Sequence, residues 1–518
     1  MTSKPDLTTT AGRIEDLRNR LAESQAPVGQ DADRAARERV EQLLDTGTFV
    51  ETDALARHRI EAYKMYRTKP ATDGVITGYG LIDGRRVCVF SQDGTIFDGG
   101  VGEVYAEKML KIYELATKTG VPVIGIYNSA GPRWQEGIVT AHMQAKLLRA
   151  ASVASGLIPQ IAVVAGDTAG LAAATVPLAD LTVMVDGAAL HLTDVEAVRA
   201  VSGDAGVDAD ALGGARVHAS ESGLAHLTAA SDADALEQVR SLVGYLPLNN
   251  LAGSPLGQAA GGAGRAGLNT GATGADSGAA GVEAQNLDLD TFMPDDDAAA
   301  YDVADIITAV TDGELFEVGA DFAGNVVTGF AHIGGRAVGV VATQPSVLAG
   351  CLTYDGARKA ARFIRTCDAF NLPIVQFVDC PGFVPSAEEE RAGSAAGAAA
   401  LAHAFAEAQV GTITVITRKA HGTAYAVLGS KGLGADLVFA WPTAQIALAD
   451  APTAATAIGT DAAEYEAENL NPYVATERGL VDAVIEPHQT RAQVLEGLRL
   501  LERKVIYPVT KKHGNIPL

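Results

Sequence analysis

The chemistry open to this chain lies in small residues at the ends of apolar stretches. Pro122 to Tyr127 runs into a glycine-bearing loop at Ala130-Gly131, and Gln160 to Ala165 runs into Gly166-Asp167-Thr168-Ala169-Gly170 before a small-residue helix. The first turn of a helix leaves its backbone N–H groups without internal partners, so such turns present donors able to hold a developing oxyanion. Gly131, and Gly382 in a matching place later in the chain, admit two readings: a residue of such a site, or a plain turn glycine. His191, His421 and His513 have no second ligand at metal-site spacing, so each is read as structural or exposed and no metal is expected. Cys88, Cys351, Cys367 and Cys380 are scattered without CxxC pairs, which argues against a disulfide framework and against a zinc ribbon.

The surrounding pattern supplies the elements that position these loops. A strand over Arg86 to Ser91 follows the Asp83-Gly84 turn. Tyr105, Met109, Ile112 and Ala116 fall on one face at helical spacing, predicting a helix from Glu103 to Thr119. Buried strands over Pro122 to Tyr127 and Gln160 to Ala165 flank a second helix, Gly137 to Ala154. Alternation of this kind predicts right-handed crossovers and a mostly parallel sheet, with ligands at the carboxyl ends of the strands.

The whole pattern occurs twice. Val75-Ile76-Thr77-Gly78-Tyr79-Gly80 returns 251 positions later as Val326-Val327-Thr328-Gly329-Phe330-Ala331. At the same offset Lys108 meets Lys359, Pro122 meets Pro373 and Gly131 meets Gly382. Further on, Asp180-Leu181 meets Asp436-Leu437, and Gly223-Leu224 meets Gly479-Leu480. An ordered series with one small length change points to an internal duplication. Three segments follow: an N-terminal domain over 1–250, a Gly/Ala-rich linker over 251–286, and a C-terminal domain over 287–518.

Composition narrows the function. The formal charge is −23, from 63 acidic and 40 basic residues, which works against non-specific binding to nucleic acid or an anionic membrane. Aromatics are only 5% of the residues, so the cores are built mainly from Ala, Val, Leu and Ile. No run approaches the roughly 18 apolar residues of a membrane span, and Met1 to Ala11 has no signal-peptide core. A cytoplasmic address is expected.

Several motifs carry a specific resemblance. They are Ser91-Gln92-Asp93-Gly94-Thr95, Ser155-Gly156-Leu157-Ile158-Pro159-Gln160, the run Ala361 to Phe370, Asp379-Cys380-Pro381-Gly382-Phe383, Gly429-Ser430-Lys431, Trp441 to Ile446, and the ending Lys512 to Leu518. With these, the chain from about Thr9 to Leu518, apart from the linker, resembles the carboxyltransferase β subunits of propionyl-CoA and acetyl-CoA carboxylases of the actinobacterial kind. The resemblance implies an α/β chain of two tandem crotonase-like (ClpP/crotonase) domains in a homo- or hetero-hexameric ring. It implies a site formed by the first half of one subunit and the second half of another. It also implies transfer of a carboxyl group from carboxybiotin to the α-carbon of an acyl-CoA. Lys64-Met65 looks superficially like a biotinyl-lysine site, but Tyr63 stands where a Met would precede the lysine. Biotin is therefore expected on a partner, the biotin carrier and biotin carboxylase subunit, and related β subunits are further expected partners.

Carried over by position, the oxyanion hole for the acyl-CoA falls at Gly170 and Leu171, and that for biotin at Thr423 and Ala424. Gly131, Arg133, Gly382, Phe383 and Ala426 fall at substrate-binding positions. Leu171 replaces a glycine of the family, Thr423 replaces another, Ala426 replaces an aspartate, and Pro132 replaces a residue with an N–H. The helix start at Gly393 to Ala400 has lost the family's basic residues. On these departures a second reading rests: a weakened or silent paralogue acting as structural or regulatory partner of an active β subunit. A biotin-dependent decarboxylase, which shares the fold, is a third.

Overall fold

The computed structural model describes residues 5–26, 35–256, 287–506 and 510–516. Two compact units are present: one runs as far as Gly244 and takes in Leu248–Asn250, the other takes Tyr245–Pro247 and the chain from Leu251 onward. Tyr245 belongs with the second because its ring stacks on His332, with centroids 4.7 Å apart, and lies 5.8 Å from Phe330.

The first unit is built on β1 (Val50–Thr52), β2 (Val75–Ile82), β3 (Arg85–Gln92), β4 (Val123–Ser129), β5 (Gln160–Ala169), β6 (Leu181–Val185), β7 (Leu190–His191) and β8 (Leu227–Ala229). They form a sheet in the order β1-β2-β3-β4-β5-β6-β8, with β7 paired to β5 beyond that path. The pairs β1–β2 and β2–β3 are antiparallel, and every later pair is parallel. The second unit holds β9 (Phe316–Glu317), β10 (Val326–Ile333), β11 (Arg336–Thr343), β12 (Ile374–Cys380), β13 (Thr412–His421), β14 (Leu437–Ala440), β15 (Gln445–Ala447) and β16 (Ala483–Val484). Its order, β9-β10-β11-β12-β13-β14-β16 with β15 on β13, repeats the first strand for strand.

The repeat extends to side chains. Asp45 accepts from the N–H groups of Asp83 and Gly84 at the β2–β3 turn, and Asp312 accepts from those of Gly334 and Gly335 at the β10–β11 turn. Arg240 binds Asp45 and the Leu43 carbonyl; Arg491 binds Asp312 and the Val310 carbonyl. Lys108 is buried and donates to the Thr72 and Val75 carbonyls, and Lys359 donates to those of Phe322 and Val326. Burial lowers both ammonium groups to about 8. The two sequence-matched lysines therefore perform one task, tying the helix after the antiparallel hairpin to the segment before it.

Local sequence explains the central layer. β4 and β12 are buried along nearly their full length, as expected of strands in parallel sheet covered on both faces. The helix Glu103–Thr119 turns Tyr105, Met109, Ile112 and Ala116 inward and stops at Gly120, whose φ of 65° suits a left-handed cap. In the second unit Ile306, Val310, Val340, Phe377, Val415 and Trp441 form one core, with the Trp441 indole N–H donating to Thr490 at 2.9 Å. β5 runs four residues past its expected end, because Thr168 and Ala169 pair with β7. Within the segment read as a linker, Ser254 donates to the Ala337 carbonyl and Pro255 accepts from the Ala337 N–H, which ties its first residues to β11. The rest of that segment, 257–286, lies outside the described residues.

Candidate active site

Each unit carries the same turn at the carboxyl end of its longest parallel strand. β5 ends at Ala169 and a short helix, Gly170–Ala173, begins at once; β13 ends at His421 and the helix Gly422–Val427 begins at once. Gly170 has φ of 58° and Gly422 has φ of 52°, a conformation that L side chains rarely adopt. The strand registers make them equivalent: Thr168 pairs with Leu190 of β7, and Ala420 pairs with Ile446 of β15. In both turns the backbone reverses at a glycine, and the N–H groups that follow enter the first helical turn without partners inside it.

In the first unit the loop after β4 is brought to this turn. A Cβ added to Gly131, whose φ is 104°, would lie 3.2 Å from the Ala169 carbonyl oxygen, and one on Gly170 would lie 3.9 Å from the Gly131 Cα. Leu171 follows Gly170 and is 36% exposed. As the second residue of the helix Gly170–Ala173, it keeps an N–H in the helix start. Pro132 costs this loop nothing in hydrogen bonds. Its bridge to Val101 uses the Val101 N–H on the Gly131 carbonyl and the Arg133 N–H on the Val101 carbonyl, so no donor is demanded of residue 132.

Arg133, expected to meet substrate, turns inward. Its guanidinium is paired with Asp73 at 2.8 Å and Glu136 at 3.2 Å, and lies 4.8 Å over the Phe97 ring, with 1% of the side chain exposed. A buried arginine so enclosed braces the Gly131 loop and offers no free charge to a ligand.

In the second unit Thr423, Ala424 and Ala426 share the helix Gly422–Val427, with Thr423 and Ala426 exposed and Ala424 buried. The positive φ that a β-branched residue would resist falls on Gly422, and Thr423 is absent from the positive-φ residues. Gly382 and Phe383 follow the adjacent strand β12, where Phe383 bridges to Leu352. Space around Gly382 is open, since an added Cβ would meet nothing within 4 Å, whereas one on Gly422 would lie 2.8 Å from the Leu448 carbonyl oxygen. The loops of this unit are thus on neighbouring strands without the close approach seen between Gly131 and Gly170.

Two features of this turn were not foreseen. One is Gly422 itself, although its place 252 residues after Gly170 was open to inspection. The other is the buried pair of Asp379, at the end of β12, with Arg418 of β13 at 2.9 Å, reinforced by the Lys419 N–H on the same carboxylate. It locks together the two strands whose ends carry Gly382 and Gly422. His421, the last residue of β13, is buried, and burial foremost, with Lys419 nearby, lowers its pKa; Asp450 and Asp379 act the other way. Among the described residues no group of His, Cys, Asp and Glu is arranged to hold a metal ion.

Two units of one α/β topology carry the same glycine turn, and the chain belongs to the carboxyl transferase family: the carboxyl transferase domain matches over residues 29–516. It is similar along its length to β subunits of acyl-CoA carboxylases. The beta5 subunit of the biotin-dependent acetyl-/propionyl-coenzyme A carboxylase of Mycobacterium tuberculosis is 46% identical, covering 99% of this chain and 96% of the relative. The methylmalonyl-CoA decarboxylase subunit alpha of Veillonella parvula is 40% identical, covering 99% and 100%. Among solved structures, transcarboxylase 12S, described as a hexamer with hydrolysed methylmalonyl-coenzyme A bound, superposes with a TM-score of 0.91 at 37% identity over 98% of this chain and 99% of that one. No helix among the described residues is long and apolar enough to cross a membrane.

Proposed function

We propose that the chain is the carboxyltransferase subunit of a biotin-dependent acyl-CoA carboxylase, moving a carboxyl group onto the α-carbon of an acyl-CoA. The observation that supports this reading is the repeated turn at Gly170 and Gly422, one in each unit: two reacting partners each need an oxygen held as negative charge gathers on it, which backbone donors at such turns can do. In the first unit, residues 1–250, the N–H groups of Gly170 and Leu171 take the thioester oxygen as the enolate forms, with the Gly131 loop closing one side. In the second, residues 287–518, the N–H groups of Thr423 and Ala424, set by the Gly422 turn, take the ureido oxygen of biotin, with Gly382, Phe383 and Ala426 at its edge. Open space at Gly382 and the exposed Thr423 and Ala426 leave this turn accessible to a prosthetic group carried on another chain. Carboxybiotin supplies the carboxyl group and, once this has left, the base that accepts the α-proton. The chain's own part is placement and charge stabilisation, for which backbone donors suffice and no acid–base side chain is required.

Biotin arrives on a carrier subunit that also serves the ATP-using carboxylase. The assembly is a cytoplasmic hexameric ring of this chain, alone or with related β subunits. The chain, mixed with a biotinylated partner, ATP and bicarbonate, should convert acetyl-CoA to malonyl-CoA or propionyl-CoA to methylmalonyl-CoA. Absence of both products, with a standard β subunit active on the same partner, would overturn the reading.

A further inference from the structure

The segment Arg57 to Lys69 departs from the acidic character of the chain. It holds Arg57, Arg59, Lys64, Arg67 and Lys69 against a single carboxylate, Glu61, in a protein of formal charge −23. Three of the five cations are spent locally: Arg57 on Glu23, Arg59 on Glu103 and Glu107, and Lys69 on Glu61. Among the described residues Lys64 and Arg67 have no carboxylate within ion-pair distance, and both are exposed. Between and beside them stand two tyrosines, Tyr63 at 79% and Tyr66 at 53% exposure, the latter with the Arg67 guanidinium 5.7 Å over its ring.

The turn that displays these groups is held in an unusual shape. Tyr63 and Lys64 have φ of 54° and 63°, consecutive left-handed conformations of two bulky residues, while Met65 beneath them is buried. Such strain persists only where the surroundings enforce it. The brace is His58, whose ring nitrogen lies 2.7 Å from the Thr68 carbonyl and whose ring meets Phe97 edge-on at 5.6 Å. Phe97 in turn underlies Arg133, next to the Gly131–Pro132 loop. The patch is therefore fixed to the same support as the acyl-CoA loop of its own unit.

We infer that Tyr63, Lys64, Tyr66 and Arg67 form a docking site for the nucleotide end of the CoA thioester, its adenine against a tyrosine face and its 3′-phosphate on Lys64 and Arg67; this rests on the proposed function. Exposed rings suit a purine face, and two cations without a carboxylate partner, one of them donating to the Tyr66 hydroxyl at 3.3 Å, suit a dianionic phosphate more than a neutral or cationic ligand. The remote contact would contribute to binding and leave the chemical step alone.

The test is titration of the full chain with CoA, dephospho-CoA and adenosine 3′,5′-bisphosphate, using wild type, Lys64→Gln/Arg67→Gln, Tyr63→Ala, and Lys146→Gln as a control for overall charge. Wild type should bind CoA more tightly than dephospho-CoA. The double variant should weaken CoA binding by about tenfold or more, with the preference for the 3′-phosphate lost. In the carboxylation assay it should raise KM with kcat unchanged. Tyr63→Ala should weaken all three ligands alike, and Lys146→Gln should weaken none. Unchanged CoA affinity in the double variant, or an equal loss in the control, would overturn the site while leaving the carboxyltransferase reading intact. A wild-type chain that binds no CoA compound would sink that reading and this site with it.

Discussion

Gly170 and Gly422 occupy one position in two copies of the same turn, with φ of 58° and 52° between a parallel strand and the helix it feeds. Their surroundings have diverged. A Cβ added to Gly170 would meet Pro132 and Gly131 at ordinary van der Waals distance, whereas one on Gly422 would lie 2.8 Å from the Leu448 carbonyl oxygen. One repeated device, a positive-φ glycine between a strand and the helix it feeds, thus stands in two different environments.

The departures of this chain from its family need not silence it, and the structure says where to look. Thr423 lies within a helix and outside the positive-φ residues, and Leu171 is 36% exposed. Thr423→Gly and Leu171→Gly should therefore shift kcat by less than about threefold, since neither moves an N–H donor. A rise of about 10²-fold in steady-state carboxylation would instead show that the native side chains obstruct the holes.

Arg133 should behave as a structural residue. Removing one partner from a buried pair strands the other charge, so Arg133→Met should cost about 3–5 kcal/mol in denaturant unfolding, and Asp73→Ala a similar amount. The double variant should recover part of this loss. A stable Arg133→Met chain with raised KM for acyl-CoA would return the residue to the substrate site.

Lys359 gives a pH signature. Its ammonium is lowered from 10.5 to about 8 by burial, so between these values the unfolded chain binds the proton and the folded chain has released it. Stability then rises with pH across about 8 to 10.5, by about 3 kcal/mol for the full shift, and this gain is lost as pH falls through 8. Lys359→Met removes the linkage, so the Tm of wild type relative to the variant should climb from pH 8 to pH 10. A constant difference would show that the native ammonium titrates normally.

Much of this architecture was legible in the sequence because the duplication repeats residues that perform the same physical task. Lys108 and Lys359 were visible as matched letters before their hydrogen bonds were known. The helix Glu103–Thr119 was readable to the residue from its buried face and terminal glycine. Gly166 to Ala169 was not, because four small and polar residues read as loop, and their strand pairing comes from β7 about twenty residues on. The ion pair of Arg133 was not legible for a related reason: its partner Asp73 is sixty positions away, and a lone arginine beside a glycine loop looks like a ligand for anions. The register at His421-Gly422-Thr423 was hidden because resemblance directs attention to Thr423, while the backbone reversal sits at Gly422.

The central claim is that two glycine turns, through their backbone donors, perform the transfer. Its most direct test is kcat for carboxylation by Gly170→Ala and Gly422→Ala, measured with saturating acyl-CoA and biotinylated partner. An alanine at these φ values costs about 1–2 kcal/mol and tilts the donors that follow. The Cβ at Gly422 would also sit 2.8 Å from the Leu448 oxygen. The account predicts intact folding and CoA binding with kcat reduced about 10²-fold or more in each variant, most in Gly422→Ala. Carboxylation at near wild-type kcat in both would contradict it.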